Sequence, residues 1–165
     1  MRVNEVMTAN PSCCIPSDSA RMAATIMRDL DTGIVPIIEN GVSRKLVGVV
    51  TDRDLCIGLL CGKEIGQTAE LHPAETPVEK CMTTKVISCK PGDSLEKAVD
   101  LMKEKQVRRI LVVDEKNVVK GIVSMADVFL RADVPPKETS VTMESISQPS
   151  EEGTRRRVES AESGR

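Results

Sequence analysis

Apolar residues recur along this chain at two distinct periods, and the two alternate in a fixed order. Leu95, Ala98, Val99 and Met102 fall at helical spacing and give one apolar face, the mark of a half-buried helix. Ala20, Ala23, Ala24 and Met27 repeat that pattern with smaller side chains, which lets another helix approach closely. Val- and Ile-rich runs follow each helix: Ile34 to Glu39 with Leu46 to Thr51, and Ile110 to Asp114 with Val118 to Ser124. β-Branched runs of this length read as strands. The turn material Glu39-Asn40-Gly41 and Asp114-Glu115-Lys116-Asn117 joins each pair. A further helix is expected after each pair, from Asp52 to about Leu60 and from Met125 to about Ala132. Ahead of all this come a short lead-in helix (Val3 to Thr8, Val78 to Thr83) and an extended stretch (Pro11 to Ile15, Lys85 to Cys89). The turns Pro16-Ser17-Asp18-Ser19 and Pro91-Gly92-Asp93-Ser94 read as helix caps.

The two series are copies of one another. A shift of 75 residues carries Met7-Thr8 onto Met82-Thr83, Cys14 onto Cys89, Asp18-Ser19 onto Asp93-Ser94 and Met27 onto Met102. Beyond Glu39 the shift becomes 73, as Gly48 to Gly121 and Asp54 to Asp127 show. The change of register falls in the loop Asn40 to Lys45, where an insertion is tolerated. The expected fold class is therefore α/β (α+β): two β-α-β-β-α repeats packed sheet to sheet in a pseudo-two-fold pair. The expected divisions are repeat 1 over residues 1–62, a linker over 63–77, repeat 2 over 78–133, a short helical extension over 134–147 and a disordered tail over 148–165. The tail is charged and almost free of apolar residues. Its Arg155-Arg156-Arg157 run is flanked by glutamates and reads as a solvated face.

Composition narrows the function. Phe129 is the only aromatic residue, which argues against base stacking on single-stranded nucleic acid. A net charge of −2 gives no electrostatic pull toward DNA or an anionic membrane. No apolar run approaches a membrane span or a signal peptide, so the expected location is cytoplasmic. The six cysteines form no Cys-x-x-Cys pair and read as small buried side chains in a reducing compartment rather than as a metal site. His72, the only histidine, falls in the linker. With no Walker-type loop and no nucleophile–base set, no enzyme activity is expected.

Two segments carry candidate chemistry: Gly48-Val49-Val50-Thr51-Asp52-Arg53-Asp54 and Gly121-Ile122-Val123-Ser124-Met125-Ala126-Asp127. Each runs from a strand straight into a helix. The Ser/Thr and the Asp three residues later make a capping box. The same groups suit a nucleotide: free N–H groups at a helix start favour an anion, and the carboxylate can accept from two sugar hydroxyls.

Together with Val6-Met7-Thr8, Cys81-Met82-Thr83, Thr32-Gly33-Ile34-Val35-Pro36-Ile37-Ile38-Glu39 and Val107-Arg108-Arg109-Ile110-Leu111-Val112-Val113-Asp114, these turns make the chain resemble a tandem pair of cystathionine-β-synthase (CBS) domains, a Bateman module. Leu111 departs from the pattern, standing where Pro36 supplies the family's common proline. The resemblance implies a regulatory module that needs no cofactor. It implies binding of AMP, ADP, ATP or S-adenosylmethionine in clefts between the repeats, homodimerisation, and a separate regulated protein as partner. Carried over, Asp127 would hold the ribose and Ser124 would lie beside it. Ile122 would pack on the base, and Thr8, Cys13 and Thr32-Gly33 would close around it. The other cleft would use Asp54 and Thr51 likewise, with Val49, Thr83, Ser88, Val107 and Arg108. Arg53 and Arg108 are the expected phosphate partners, which makes the Asp54 cleft the better equipped for a charged tail. The alternative is a scaffold with empty clefts, acting through dimerisation and partner binding.

Overall fold

The computed structural model describes residues 1–61 and 72–131, together with Glu144 and Ser147. The expected extension and tail lie otherwise outside the described residues, as does most of the linker. Chain order is α1 (Val3–Val6), β1 (Thr8–Ala9), α2 (Ala20–Asp29), β2 (Ile34–Ile38), β3 (Leu46–Thr51), α3 (Asp52–Cys61), β4 (Ser88–Cys89), α4 (Leu95–Lys105), β5 (Arg109–Val113), β6 (Val119–Ser124) and α5 (Met125–Arg131). The second lead-in, expected as a helix, is a single 3-10 turn, Val78–Lys80. It begins directly after Pro77, whose ring fixes the entry angle. No helix among the described residues is long and apolar enough to cross a membrane.

The two repeats use the same local devices. In each turn before the long helix, an aspartate ties the turn and the next serine caps the helix. Asp18 Oδ2 accepts from the Ile15 N–H and Asp93 Oδ2 from the Lys90 N–H, each at 2.8 Å. Ser19 and Ser94 Oγ accept from the N–H groups of Met22 and Lys97 at 3.2 Å, satisfying orphan donors of the first turn. Both long helices end on a left-handed residue that is not glycine, Asp31 (φ 48°) and Gln106 (φ 51°). Thr32 and Val107 then donate back to Met27 and Met102, closing a Schellman-type end.

The lead-ins cross between halves. β1 pairs antiparallel with β6, Thr8 opposite Ile122 and Ala9 opposite Gly121, so the second repeat's sheet runs β1-β6-β5-β4. The counterpart in the first repeat is a single bridge from Thr83 to Val49, flanking the β2-β3 pair. α1 goes with its strand: Val3 and Val6, both fully buried, pack with Cys89, Ala98, Met102 and Val123 of the second repeat. Val78 is buried reciprocally among Ala23, Val35 and Val50 of the first. Burying two valines contributes roughly 3–6 kcal/mol, enough to make the exchange a fixed part of the fold. A third cluster, Ile34, Ile38 and Leu46 against Leu111, Val119 and Ile122, joins the two sheets face to face.

Glycine at two motif positions follows from this exchange. A Cβ on Gly121 would lie 2.5 Å from Met7 Sδ and 2.9 Å from the Thr8 carbonyl oxygen. On Gly48 it would lie 2.8 Å from Met82 Sδ and 3.2 Å from the Thr83 carbonyl oxygen. The repeated Met-Thr and the repeated Gly are thus two sides of one contact, made once in each direction.

The cysteines are free thiols, Cys14 and Cys89 buried and Cys56 and Cys61 exposed. Burial pushes the Cys14 thiol up to about 12, with Asp18 adding to it, and the Cys89 thiol up to about 11. The fold thus favours the protonated thiol. That stability is fully present below pH ~9, the ordinary thiol value, and is lost as pH rises toward about 11 and about 12. Iodoacetamide at pH 8 is expected to label Cys56 and Cys61 and to spare Cys14 and Cys89 until denaturant is added, as peptide mass spectrometry will read; rapid native labelling of Cys14 would contradict the packing.

Candidate ligand cleft between the repeats

Both capping boxes form, with matching geometry. The Thr51 hydroxyl donates to Asp54 Oδ2 at 2.7 Å and its N–H at 2.9 Å, while the Asp54 N–H donates to Thr51 Oγ1 at 3.1 Å. Ser124 and Asp127 repeat this at 2.6, 2.9 and 3.1 Å. In each turn the cap takes up one carboxylate oxygen, Oδ2. Oδ1 takes no part in either cap; that of Asp127 lies 3.8 Å from Arg131 Nη2.

A cleft of about 290 Å³ opens on the Asp127 side. The first half contributes Thr8, Pro11, Ser12, Ile26 of α2, the turn that follows α2 (Leu30, Asp31, Thr32) and Ile34. The second contributes Arg109, Ile122, Ser124, Ala126 and Asp127. Ile34 and Ile122 are buried and make an apolar floor, whereas Asp31 and Arg109 are exposed and put charge at the rim. The crossing of β1 brings Thr8 beside Ile122. The Schellman-type end of α2 sets Thr32, whose hydroxyl donates to the Ile34 carbonyl at 3.3 Å.

Of the residues expected around this cleft, Thr8, Thr32, Ile122, Ser124 and Asp127 line it. Gly33 sits between two wall residues; a Cβ there would meet Asp52 Oδ2 at 3.0 Å and Arg109 Nη1 at 3.5 Å. Cys13 is placed differently. It packs against the sheet-to-sheet core, donates to the Pro11 carbonyl at 3.2 Å and accepts from Arg44 at 3.5 Å. Burial raises its thiol, partly offset by the Arg44 charge.

The residues assigned to the other turn are spread over β3, α3, β4 and the connecting segments. Val49 and Thr83 exchange backbone hydrogen bonds at 2.9 and 2.8 Å. Ser88 pairs with Leu111 in the parallel β4-β5 ladder, Val107 packs partly on the second repeat's core, and Arg53 is exposed. Asp54 lies close enough to Cys81 to help burial raise that thiol. Arg108 donates to Ser147 Oγ at 3.4 Å.

The expected charge ranking of the two turns left out the strand that faces the Asp127 turn. Met125 and Ala126 leave the Asp127 turn itself without a cation, but Arg109 supplies one from the strand opposite. Arg109 is the ladder partner of Ser124, and directly paired residues share a face of the sheet. Strand alternation already restricts the Arg108-Arg109 pair to one cleft-facing member; only the register identifies it. Asp31 also escaped the sequence reading, and its signal is the absence of glycine at a left-handed helix end.

The family model of the CBS domain matches residues 3–60 and 78–132. The chain belongs to the CBS domain family. This CBS pair is 35% identical over 125 residues to the CBS domain-containing protein YhcV of Bacillus subtilis (strain 168), covering 76% of this chain and 81% of that protein. Among solved structures it is similar to hypoxic response protein I with two coordinated zinc ions (TM-score 0.66, 27% identity, 82% of this chain and 100% of that one). It is likewise similar to CBSX2 in complex with AMP (TM-score 0.65, 29% identity, 79% and 95%). No group of three or more His, Cys, Asp or Glu that would hold a metal ion occurs among the described residues of this CBS pair.

Proposed function

We propose that this CBS pair is a regulatory module that binds an adenine mononucleotide in the Asp127 cleft. The carrying observation is the convergence of Thr8 and Thr32 from one half with Ile122, Ser124 and Asp127 from the other on one cavity. The base lies on the Ile34–Ile122 floor, the ribose hydroxyls bond to Asp127 Oδ1, and Arg109 attracts the phosphate. A volume of about 290 Å³ is at the small end of ligand pockets, roughly 300–1,000 Å³, and favours one phosphate over a polyphosphate. Binding of AMP by the similar CBSX2 supports the same reading. The module is regulatory rather than catalytic, and a separate protein reads its state.

A scaffold reading has one observation in its favour: Leu60 on α3 and Leu130 on α5 are 76% and 85% exposed, apolar surface available to a second copy or a partner. Thermal shift separates the two. At 100 times its Kd, a single-site ligand stabilises by about 2.7 kcal/mol. AMP is expected to raise the melting temperature more than adenosine, which lacks the phosphate for Arg109, and more than ATP or S-adenosylmethionine. No shift with any of the four leaves the scaffold reading standing.

A further inference from the structure

Arg131, at the end of α5, touches two elements that the sequence keeps far apart. Its Nη1 donates to the Val6 carbonyl at 2.7 Å, and its Nη2 lies 3.8 Å from Asp127 Oδ1. Val6 is the last residue of α1, the exchanged lead-in helix. Oδ1 is the carboxylate oxygen that the cap leaves unused. One guanidinium thus faces both the ligand-binding oxygen and the carbonyl end of the element that crosses between halves.

The first repeat has no such link. The offset of 73 that matches Asp54 with Asp127 puts Gly58 in the place of Arg131, and the offset of 75 puts Cys81 in the place of Val6. Gly58 packs directly on Cys81, where an added Cβ would come within 2.8 Å of Sγ. At this point the first repeat makes a small apolar contact and the second a charged, two-ended one.

We infer that Arg131 is a positioning residue that couples engagement of Asp127 to the docking of α1 and β1, so that the lead-in reports occupancy of the Asp127 cleft. This rests on the reading of that cleft as the ligand site. A ribose bonded to Oδ1 competes with the guanidinium for that oxygen and changes how firmly Arg131 holds the Val6 carbonyl. The lead-in is suited to carry the signal. Its Val3, Asn4 and Asn10 N–H groups donate to Asp93, Pro91 and Lys120 of the second repeat, so a loosened α1 exposes amides whose exchange can be followed one by one.

The test is a double-mutant cycle read by amide exchange at Val3, Met7 and Asn10 in wild type, D127N, R131M and the double variant, with and without AMP. Asparagine keeps an oxygen for the cap, and methionine keeps an apolar stem. Without ligand, each single variant is expected to exchange about three- to tenfold faster at these amides, the span set by one ordinary hydrogen bond. The double variant should be no faster than R131M alone. With AMP, wild type should change its lead-in exchange, whereas R131M should bind AMP and leave these amides unchanged. Effects that multiply in the double variant, or a lead-in response to AMP that survives in R131M, would overturn the coupling. If wild type does not bind AMP, the cleft reading fails, and the ligand-free cycle alone decides whether Arg131 links Asp127 to α1.

Discussion

Gly121→Ala is expected to destabilise the protein by about 1–3 kcal/mol, the usual cost of overpacking, although it adds a single methyl group. That methyl would fall 2.9 Å from the Thr8 carbonyl oxygen and 2.5 Å from Met7 Sδ. The thioether can swing aside, but the carbonyl belongs to β1, which is hydrogen-bonded to β6 at this position. Either β1 separates from β6 or β6 distorts. The thermal midpoint should drop by roughly 2–4 °C for each kcal/mol in a chain of this size. Gly48→Ala is expected to cost less, because its backbone neighbour, the Thr83 carbonyl, is 3.2 Å away. Gly41→Ala is the control, with nothing within 4 Å of the added carbon. Equal midpoints for Gly121→Ala and Gly41→Ala would mean that the lead-in does not sit tightly on β6. Because Thr8 lines the cleft, Gly121→Ala should also weaken AMP binding without touching any ligand-facing side chain.

Asp127→Ala is expected to raise the Kd for AMP by about 10- to 100-fold, the loss of one or two hydrogen bonds to a charged group. It should also lower stability by about 0.5–2 kcal/mol through loss of the cap. Asp127→Asn separates the two effects, since its side-chain oxygen can still accept from Ser124. It should restore most of the stability and only part of the affinity. Titration calorimetry of the three proteins at one salt concentration reads both. An Asp127→Ala protein that binds AMP as wild type does would limit the turn to capping, which the hydrogen bonds at 2.6 and 2.9 Å already explain in structural terms.

The strands, the long helices and both capping boxes were legible in the sequence because each depends on local chemistry repeated twice. The docking of α1 on the opposite repeat's core was not. Val3 and Val6 announce a buried face but not whose core receives them; that is decided by Gly121, which admits Met7 and Thr8 from the other half. The ligand assignments divided along the same line. Thr8, Thr32, Ile122, Ser124 and Asp127 sit in motifs and reached the cleft. Cys13 went instead to the core between the sheets, where an apolar thiol is better accommodated than on a polar wall. Arg109 lies in the Val107 to Asp114 motif but had no ligand role assigned to it. Its place follows from the β5-β6 register, which a single sequence does not contain. The asymmetry between the turns arises in part in the same way: they form nearly identical hydrogen bonds, and beyond Arg53 in one against Ala126 in the other, they differ in their surroundings, Arg109 and Arg131 on one side and Cys81 and Gly58 on the other.

In the proposed complex one ligand is held by both halves at the Asp127 turn. Titrating AMP into ¹⁵N-labelled protein and following backbone amide shifts tests it most directly. The expected result is saturable shifts clustered at Thr8, Thr32, Ile122, Ser124 and Asp127. Shifts confined to Thr51, Arg53, Asp54 and Thr83, or to residues of one half alone, would contradict it.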